Sequence, residues 1–228
     1  MPAASSTPLS VHQPTGEPRG GVVVIQEAFG VNDHIDDVAR RFAAEGYLAV
    51  APHLFHRRGD PKVGYDDLPA AMAPVQQLQR DEILDDVDAA LAELDRAGIA
   101  PERRFIVGFC MGGTVGLLVA VRRPVAAAVT FYGGGVKKGR FGFGSLIDEA
   151  RQLTAQWLGL FGDLDHGIPV EEVEELRLSA ASSGQQTEVV RYADAGHGFH
   201  CDQRPSYHRA SAEDAWGRTL AWFAAHAG

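Results

Sequence analysis

Cysteine is scarce in this chain of 228 residues, which holds only Cys110 and Cys201. A disulfide-stapled framework is excluded, one bridge at most could form, and a reducing, cytoplasmic setting is the simpler expectation. Positive charge is also short: 21 Lys and Arg face 30 Asp and Glu, for a net charge of −9. That balance argues against nucleic acid or an anionic membrane surface as a partner. No stretch reaches the roughly 18 apolar residues that a membrane span needs. Residues 1–8 show no basic segment leading into an apolar run, so they read as a loose end with no signal peptide. Neither an internal repeat nor a linker stands out, and the length fits one domain over residues 1–228, as a monomer or small homo-oligomer.

Glycine is plentiful, and it concentrates where the chain has most to say. In Phe105-Ile106-Val107-Gly108-Phe109-Cys110-Met111-Gly112-Gly113 an apolar run enters Gly-x-Cys-x-Gly, and an apolar helical pattern follows. This reads as strand, sharp turn and helix with a thiol at the apex, the nucleophile-elbow pattern with cysteine in place of serine. Side chains two residues before or after the apex would collide with the neighbouring strand or helix, so glycine is required there. A glycine-rich turn around an inert buried cysteine would look the same in isolation.

Around this stretch the chain alternates. Compact apolar runs at 21–26 and 47–51 read as buried strands, 125–132, 157–162 and 187–192 as further strands, and residues 9–12 as a short edge strand. Helical periodicity fills 34–45 (with Asp33 as its cap), 78–97, 114–121, 170–182 and 210–225. Residues 53–74 are expected to form a long loop with short helical pieces, and 133–144 a glycine-rich loop. The expected architecture is therefore α/β: a mostly parallel, doubly wound sheet with helices on both faces. Sites in such sheets gather at the carboxyl ends of the strands. Glu27, Cys110, Asp165 and His197 each closely follow an expected strand, so they should share one rim.

A cysteine nucleophile needs a base, and the base needs an orienting acceptor. The order Cys110, Asp165, His197 is the nucleophile–acid–histidine order of α/β-hydrolases. Asp165 could equally cap the helix that begins at Val170, and His197 could be an ordinary turn histidine. Glu27 ends a buried strand, where an unpaired carboxylate would be costly, so it is either salt-bridged or functional. The acidic cluster Glu171, Glu172, Glu174 and Glu175 suits a solvated first helical turn.

Four segments together resemble the dienelactone hydrolase family of α/β-hydrolases over residues 20–226. They are Gln26-Glu27-Ala28-Phe29-Gly30-Val31-Asn32, Gly108-Phe109-Cys110-Met111-Gly112-Gly113, Asp165-His166-Gly167-Ile168-Pro169 and Ala195-Gly196-His197-Gly198-Phe199. The resemblance implies the α/β-hydrolase fold, a triad of Cys110, His197 and Asp165, and an oxyanion hole from the N–H groups of Ala28 and Met111. It implies Glu27 beside Cys110, where a buried carboxylate opposes thiolate formation until substrate displaces it. The implied reaction is hydrolysis of a small-molecule lactone or ester through an acyl-cysteine, with no cofactor and no metal. The family's founding enzymes grip a substrate carboxylate with arginines, one of them four residues after the histidine. Cys201 occupies that position here. Arg204, Arg57, Arg58 and Arg80 are the arginines that could substitute, and His53 lies in a loop that could face the pocket.

Three other readings stay open at this level. His197, His200 and Cys201 would have zinc-ligand spacing on a helix, although Gly196 and Gly198 oppose one. Cys110 and Cys201 could form a redox pair, although no Cys-x-x-Cys is present. A general carboxylesterase or thioesterase, or a ligand-binding protein on the same fold, would carry similar landmarks.

Overall fold

The computed structural model describes residues 7–228. Seven strands form one sheet: β1 (Leu9–His12), β2 (Gly20–Ile25), β3 (Tyr47–Pro52), β4 (Arg104–Phe109), β5 (Ala127–Phe131), β6 (Gln156–Gly162) and β7 (Thr187–Tyr192). Their spatial order is 1-3-2-4-5-6-7, and only the edge strand β1 runs antiparallel to its neighbour. Strands β2 to β5 are buried at every position, which is why their sequences are unbroken apolar runs rather than alternating ones.

The described residues also form seven α-helices: α1 (Asp33–Ala44), α2 (Leu68–Val75), α3 (Arg80–Arg96), α4 (Met111–Ala120), α5 (Leu146–Ala150), α6 (Val170–Ala181) and α7 (Arg209–Ala225). Phe42 of α1 meets Trp216 and Phe223 of α7 at ring-centroid separations of 4.5 and 6.0 Å, and Phe223 stacks on Phe105 of β4 at 4.5 Å. These two helices cover one face of the sheet. A second layer, in which α3, α4, α5 and α6 touch in succession, covers the other. No helix of the described residues is long and apolar enough to cross a membrane.

Chain direction reverses between β2 and β4. From β2 the chain moves outward to β3, and then returns to place β4 on the other side of β2. The loops after β2 and β4 therefore diverge and leave a crevice at the carboxyl edge, the topological switch point of an open α/β sheet. Glu27 and Cys110 are the residues at its two lips.

Two local expectations change. Asn32, not Asp33, caps α1: its side chain accepts the Ile35 N–H at 3.1 Å, and Asp33 becomes the first helical residue. Residues 1–6 of the expected loose end lie outside the described residues, but Thr7 and Pro8 are tied down. Thr7 Oγ1 donates to Asp86 at 2.7 Å, and the Pro8 carbonyl accepts from the His53 N–H at 3.0 Å. The loop at 53–74 does contain short helical pieces, as expected: a 3-10 turn at His56–Arg58 and the start of α2, whose cap is Asp67.

Candidate active site

Cys110 sits at φ 56°, ψ −118°, a conformation that L-residues adopt only when the surroundings impose it. The surroundings are specific. A Cβ on Gly108 would overlap the Gly112 carbonyl, and one on Gly112 would overlap the Ile25 carbonyl of β2. The Cys110 N–H donates to the Phe131 carbonyl at 3.0 Å, and its own carbonyl accepts from Gly113 at 3.0 Å. Thr130 Oγ1, which accepts from Trp157 Nε1 at 3.0 Å, donates to the Gly113 carbonyl at 2.9 Å. The thiol is thus presented on a turn braced from β2, β5 and β6.

Asp165 and His197 come from the loops after β6 and β7, which are laced together: the Leu164 N–H donates to the Ala195 carbonyl at 2.9 Å. His197 Nδ1 lies 2.6 Å from Asp165 Oδ2. The other carboxylate oxygen of Asp165 accepts the Gly167 N–H at 2.9 Å, and the Asp165 side chain is almost wholly buried. Asp165 therefore does not cap α6, whose N-cap is Pro169. Burial pulls the His197 imidazole down, but hydrogen bonds to Asp165 and Cys110 outweigh it and raise its pKa from 6.5 to about 10.

Glu27 is fully buried. Its Oε1 accepts a hydrogen bond from Tyr132 at 3.3 Å and lies 3.7 Å from Arg204 Nη1, while Oε2 has no partner among the described residues. Tyr132 follows β5 at φ 39°, with its ring 5.1 Å from the His197 ring. Burial, with Glu27 as the next contribution, pushes its phenol well above the usual range, so it is a neutral donor. Tyr132 was not singled out from the sequence. Its place directly after a strand, on the rim that holds the other four residues, was the available signal.

A cavity of about 390 Å³ opens over these groups. Cys110, His197, Ala28 and Met111 all line it, with an apolar wall that includes Phe29, Leu68, Met72 and Ile168. The Met111 N–H is the first of α4 and has no acceptor inside the helix. The Ala28 N–H donates to no protein atom among the described residues.

Of the arginines considered from sequence, only Arg204 lines this cavity. Its guanidinium stacks over Phe29 and Tyr65 at 5.3 and 5.5 Å, and Nη1 makes no hydrogen bond among the described residues. Arg57 is spent on buried Asp86 at 2.8 Å, and Arg58 on Glu82 at 2.7 Å. Arg80, at the exposed start of α3, lies over Phe143 instead of entering the cavity. His53 is likewise outside it: the ring is held between Ser10 Oγ at 3.0 Å and Asp60 at 2.6 Å, pinning the edge strand. Arg140, on the glycine-rich loop, lines the cavity without having been anticipated.

His200 and Cys201 turn elsewhere than His197. His200 packs against Phe109, Phe131 and Trp216, and Cys201 is a buried free thiol beside Tyr65. Burial, then the charge of Glu27, pushes the Cys201 thiol up to about 11, so it is a poor thiolate. Among the described residues no three His, Cys, Asp or Glu side chains are grouped as a metal site would require.

The family model described as "Dienelactone hydrolase family" matches residues 9–227. The chain belongs to the dienelactone hydrolase family. It is 42% identical over 212 residues to a protein of Escherichia coli O157:H7 named "Putative carboxymethylenebutenolidase", covering 91% of this chain and 77% of that one. A Bradyrhizobium protein named "Probable 2-oxo-3-(5-oxofuran-2-ylidene)propanoate lactonase" is 31% identical over 208 residues, covering 90% of this chain and 83% of its own length. The crystal structure of a "Putative Dienelactone Hydrolase" from Klebsiella pneumoniae superposes with a TM-score of 0.88 at 38% identity, covering 96% of this chain and 92% of that one. Membership makes this protein a hydrolase with the α/β-hydrolase fold.

Proposed function

We propose that this family member hydrolyses a small lactone or ester bearing a carboxylate, with Cys110 as nucleophile, His197 as base and Asp165 as the group that orients His197. The observation that carries the reading is the 2.6 Å contact between His197 Nδ1 and Asp165, made beside a cysteine held at positive φ on the wall of the same cavity.

In this reading the Cys110 thiol gives its proton to His197, and the thiolate attacks the substrate carbonyl carbon. The oxyanion that develops is met by the free N–H groups of Ala28 and Met111. The carbon–oxygen bond then breaks, His197 protonates the departing oxygen, and an acyl-cysteine remains. Water, deprotonated by His197, attacks the thioester, and the acid leaves as the thiol reforms. Glu27 is assigned to act before this cycle, as a fully buried carboxylate that opposes a second negative charge in its neighbourhood.

Arg204 is assigned to the substrate carboxylate. It lines the cavity, and its only anionic neighbour among the described residues is Glu27, at a distance longer than a hydrogen bond. A carboxylate entering beside Arg204 would compete for that guanidinium and loosen Glu27. The Bradyrhizobium relative's name, a lactonase for a propanoate, agrees with an anionic lactone. The apolar wall favours a second reading, an esterase for neutral acyl groups. A screen of lactones, aryl esters and thioesters, each with and without a carboxylate, separates the two. Turnover should be highest for the carboxylate-bearing lactones and absent in Cys110→Ala; full activity in that variant would refute the assignment of the nucleophile.

A further inference from the structure

One cation of the cavity is not used by this reading. Arg140 lines the wall away from Phe29, and no carboxylate pairs with it among the described residues. Strand order fixes its place. Phe29 follows β2, Cys110 follows β4 and the Arg140 loop follows β5, so the nucleophile lies between the Phe29–Arg204 wall and the Arg140 wall.

The Arg140 wall is built rather than loose. Thr114 Oγ1, one turn into α4, donates to the Gly134 carbonyl at 2.7 Å and fixes the loop to the elbow helix. The Gly135 carbonyl accepts from Leu146 at 3.3 Å, and the Arg140 carbonyl from Phe143 at 2.8 Å. The side chain of Arg140 folds back over this glycine backbone. A Cβ on Gly135 would lie 2.9 Å from Arg140 Cδ, and one on Gly134 would lie 3.3 Å from Nη1. The guanidinium therefore rests against a bare backbone at the cavity edge.

The same side chain also lines an adjoining cavity of about 350 Å³, together with Lys137, Lys138 and Glu172. Lys137 is neutralised by Glu175 at 2.6 Å. Lys138 has no such partner among the described residues, so Lys138 and Arg140 against Glu172 leave this annex with a net positive charge.

We propose that Arg140, supported by Lys138, forms a second anion subsite, and that the substrate class is an ester or lactone bearing a carboxylate at each end. One carboxylate meets Arg204 and the other meets Arg140, with the scissile carbonyl between them at Cys110. This rests on the assignment of Cys110 as nucleophile. A guanidinium is suited to the task because its planar fork grips a carboxylate through two donors.

The test uses three aryl esters of matched size: neutral, monocarboxylate and dicarboxylate. The purified wild type should favour the dicarboxylate over the monocarboxylate by about tenfold in kcat/KM, expressed in KM, as one partly exposed charge-assisted contact allows. Arg140→Gln should abolish that preference, and Arg140→Lys should restore part of it. Lys137→Gln, whose ammonium is already paired, should keep it. An absent preference in the wild type, an undiminished one in Arg140→Gln, or an equal fall in Lys137→Gln would overturn the subsite, the last by revealing only a diffuse field. Loss of all turnover in Cys110→Ala tests the underlying reading separately. Should none of the esters turn over, calorimetry with the corresponding dicarboxylate amide still decides: binding that does not weaken in Arg140→Gln overturns the proposal.

Discussion

Arg204 Nη1 lies 3.7 Å from Oε1 of Glu27, a carboxylate with no solvent exposure and one oxygen without a partner among the described residues. The guanidinium thus faces a buried charge at rest, and in the proposed function it also accepts a substrate carboxylate. Removing it should leave that charge uncompensated. Arg204→Gln is expected to lose roughly 1–3 kcal/mol in urea unfolding, less than a fully buried ion pair would because Arg204 is partly exposed. Glu27→Gln in the same chain should recover most of the loss. A double-variant cycle that shows no coupling would contradict the pairing.

The contact between Asp165 and His197 makes a separate prediction. Asp165→Asn keeps the shape of the acid but favours the wrong imidazole tautomer, and comparable substitutions in hydrolase triads cost about 10⁴ in kcat. The His197 pKa, about 10 in the folded protein against 6.5 unfolded, should fall in this variant, as ring-proton NMR titration would report. A raised imidazole pKa stabilises the fold below pH 6.5, and that contribution fades as pH rises through about 10. The variant should accordingly lose most stability at neutral pH and least near pH 10. Equal destabilisation across that range would mean that the contact does not set the His197 pKa.

Acid should act through a different histidine. His200 is buried among Phe109, Phe131 and Trp216, and burial, then the charge of nearby His34, lowers its pKa from 6.5 to about 3. His34 is lowered too, chiefly by burial, although Glu27 and Asp202 oppose this; Arg41 adds positive charge to the same cluster. The unfolded chain therefore binds more protons than the folded one below pH 6.5. The His200 contribution to stability is full above 6.5 and falls toward pH 3, with a slope of about 1.4 kcal/mol per pH unit. His200→Phe, which suits the aromatic surroundings, should flatten the pH dependence of the urea midpoint between pH 6 and 4. An unchanged slope would remove His200 as its source.

Much of this arrangement was legible in the residues because it follows from chain-local rules. Strands buried on both faces must be unbroken apolar runs, so β2 to β6 announce themselves, and parallel strands send their sites to one edge. That logic gathers Glu27, Cys110, Asp165 and His197 before any coordinates are considered. What could not be read is set by contacts between distant segments. His53 lies in a rim loop, yet its ring is captured by Ser10 on the edge strand. Arg80 and Arg204 are equivalent as sequence, and only the path of the histidine loop over Phe29 brings Arg204 into the cavity. Arg140 sits in a glycine-rich loop with no periodicity, so its position depends on the Thr114–Gly134 hydrogen bond, made across 20 residues.

Rapid acid quench followed by intact-mass and peptide mass spectrometry tests the central claim, that hydrolysis passes through an acyl group on Cys110. With a slowly hydrolysed carboxylate-bearing aryl ester, the protein should gain the mass of the acyl group within the first turnover. The label should map to the peptide containing Cys110 and not to the one containing Cys201. Turnover without any acyl adduct on Cys110, or an adduct on another residue that survives in Cys110→Ala, would contradict it.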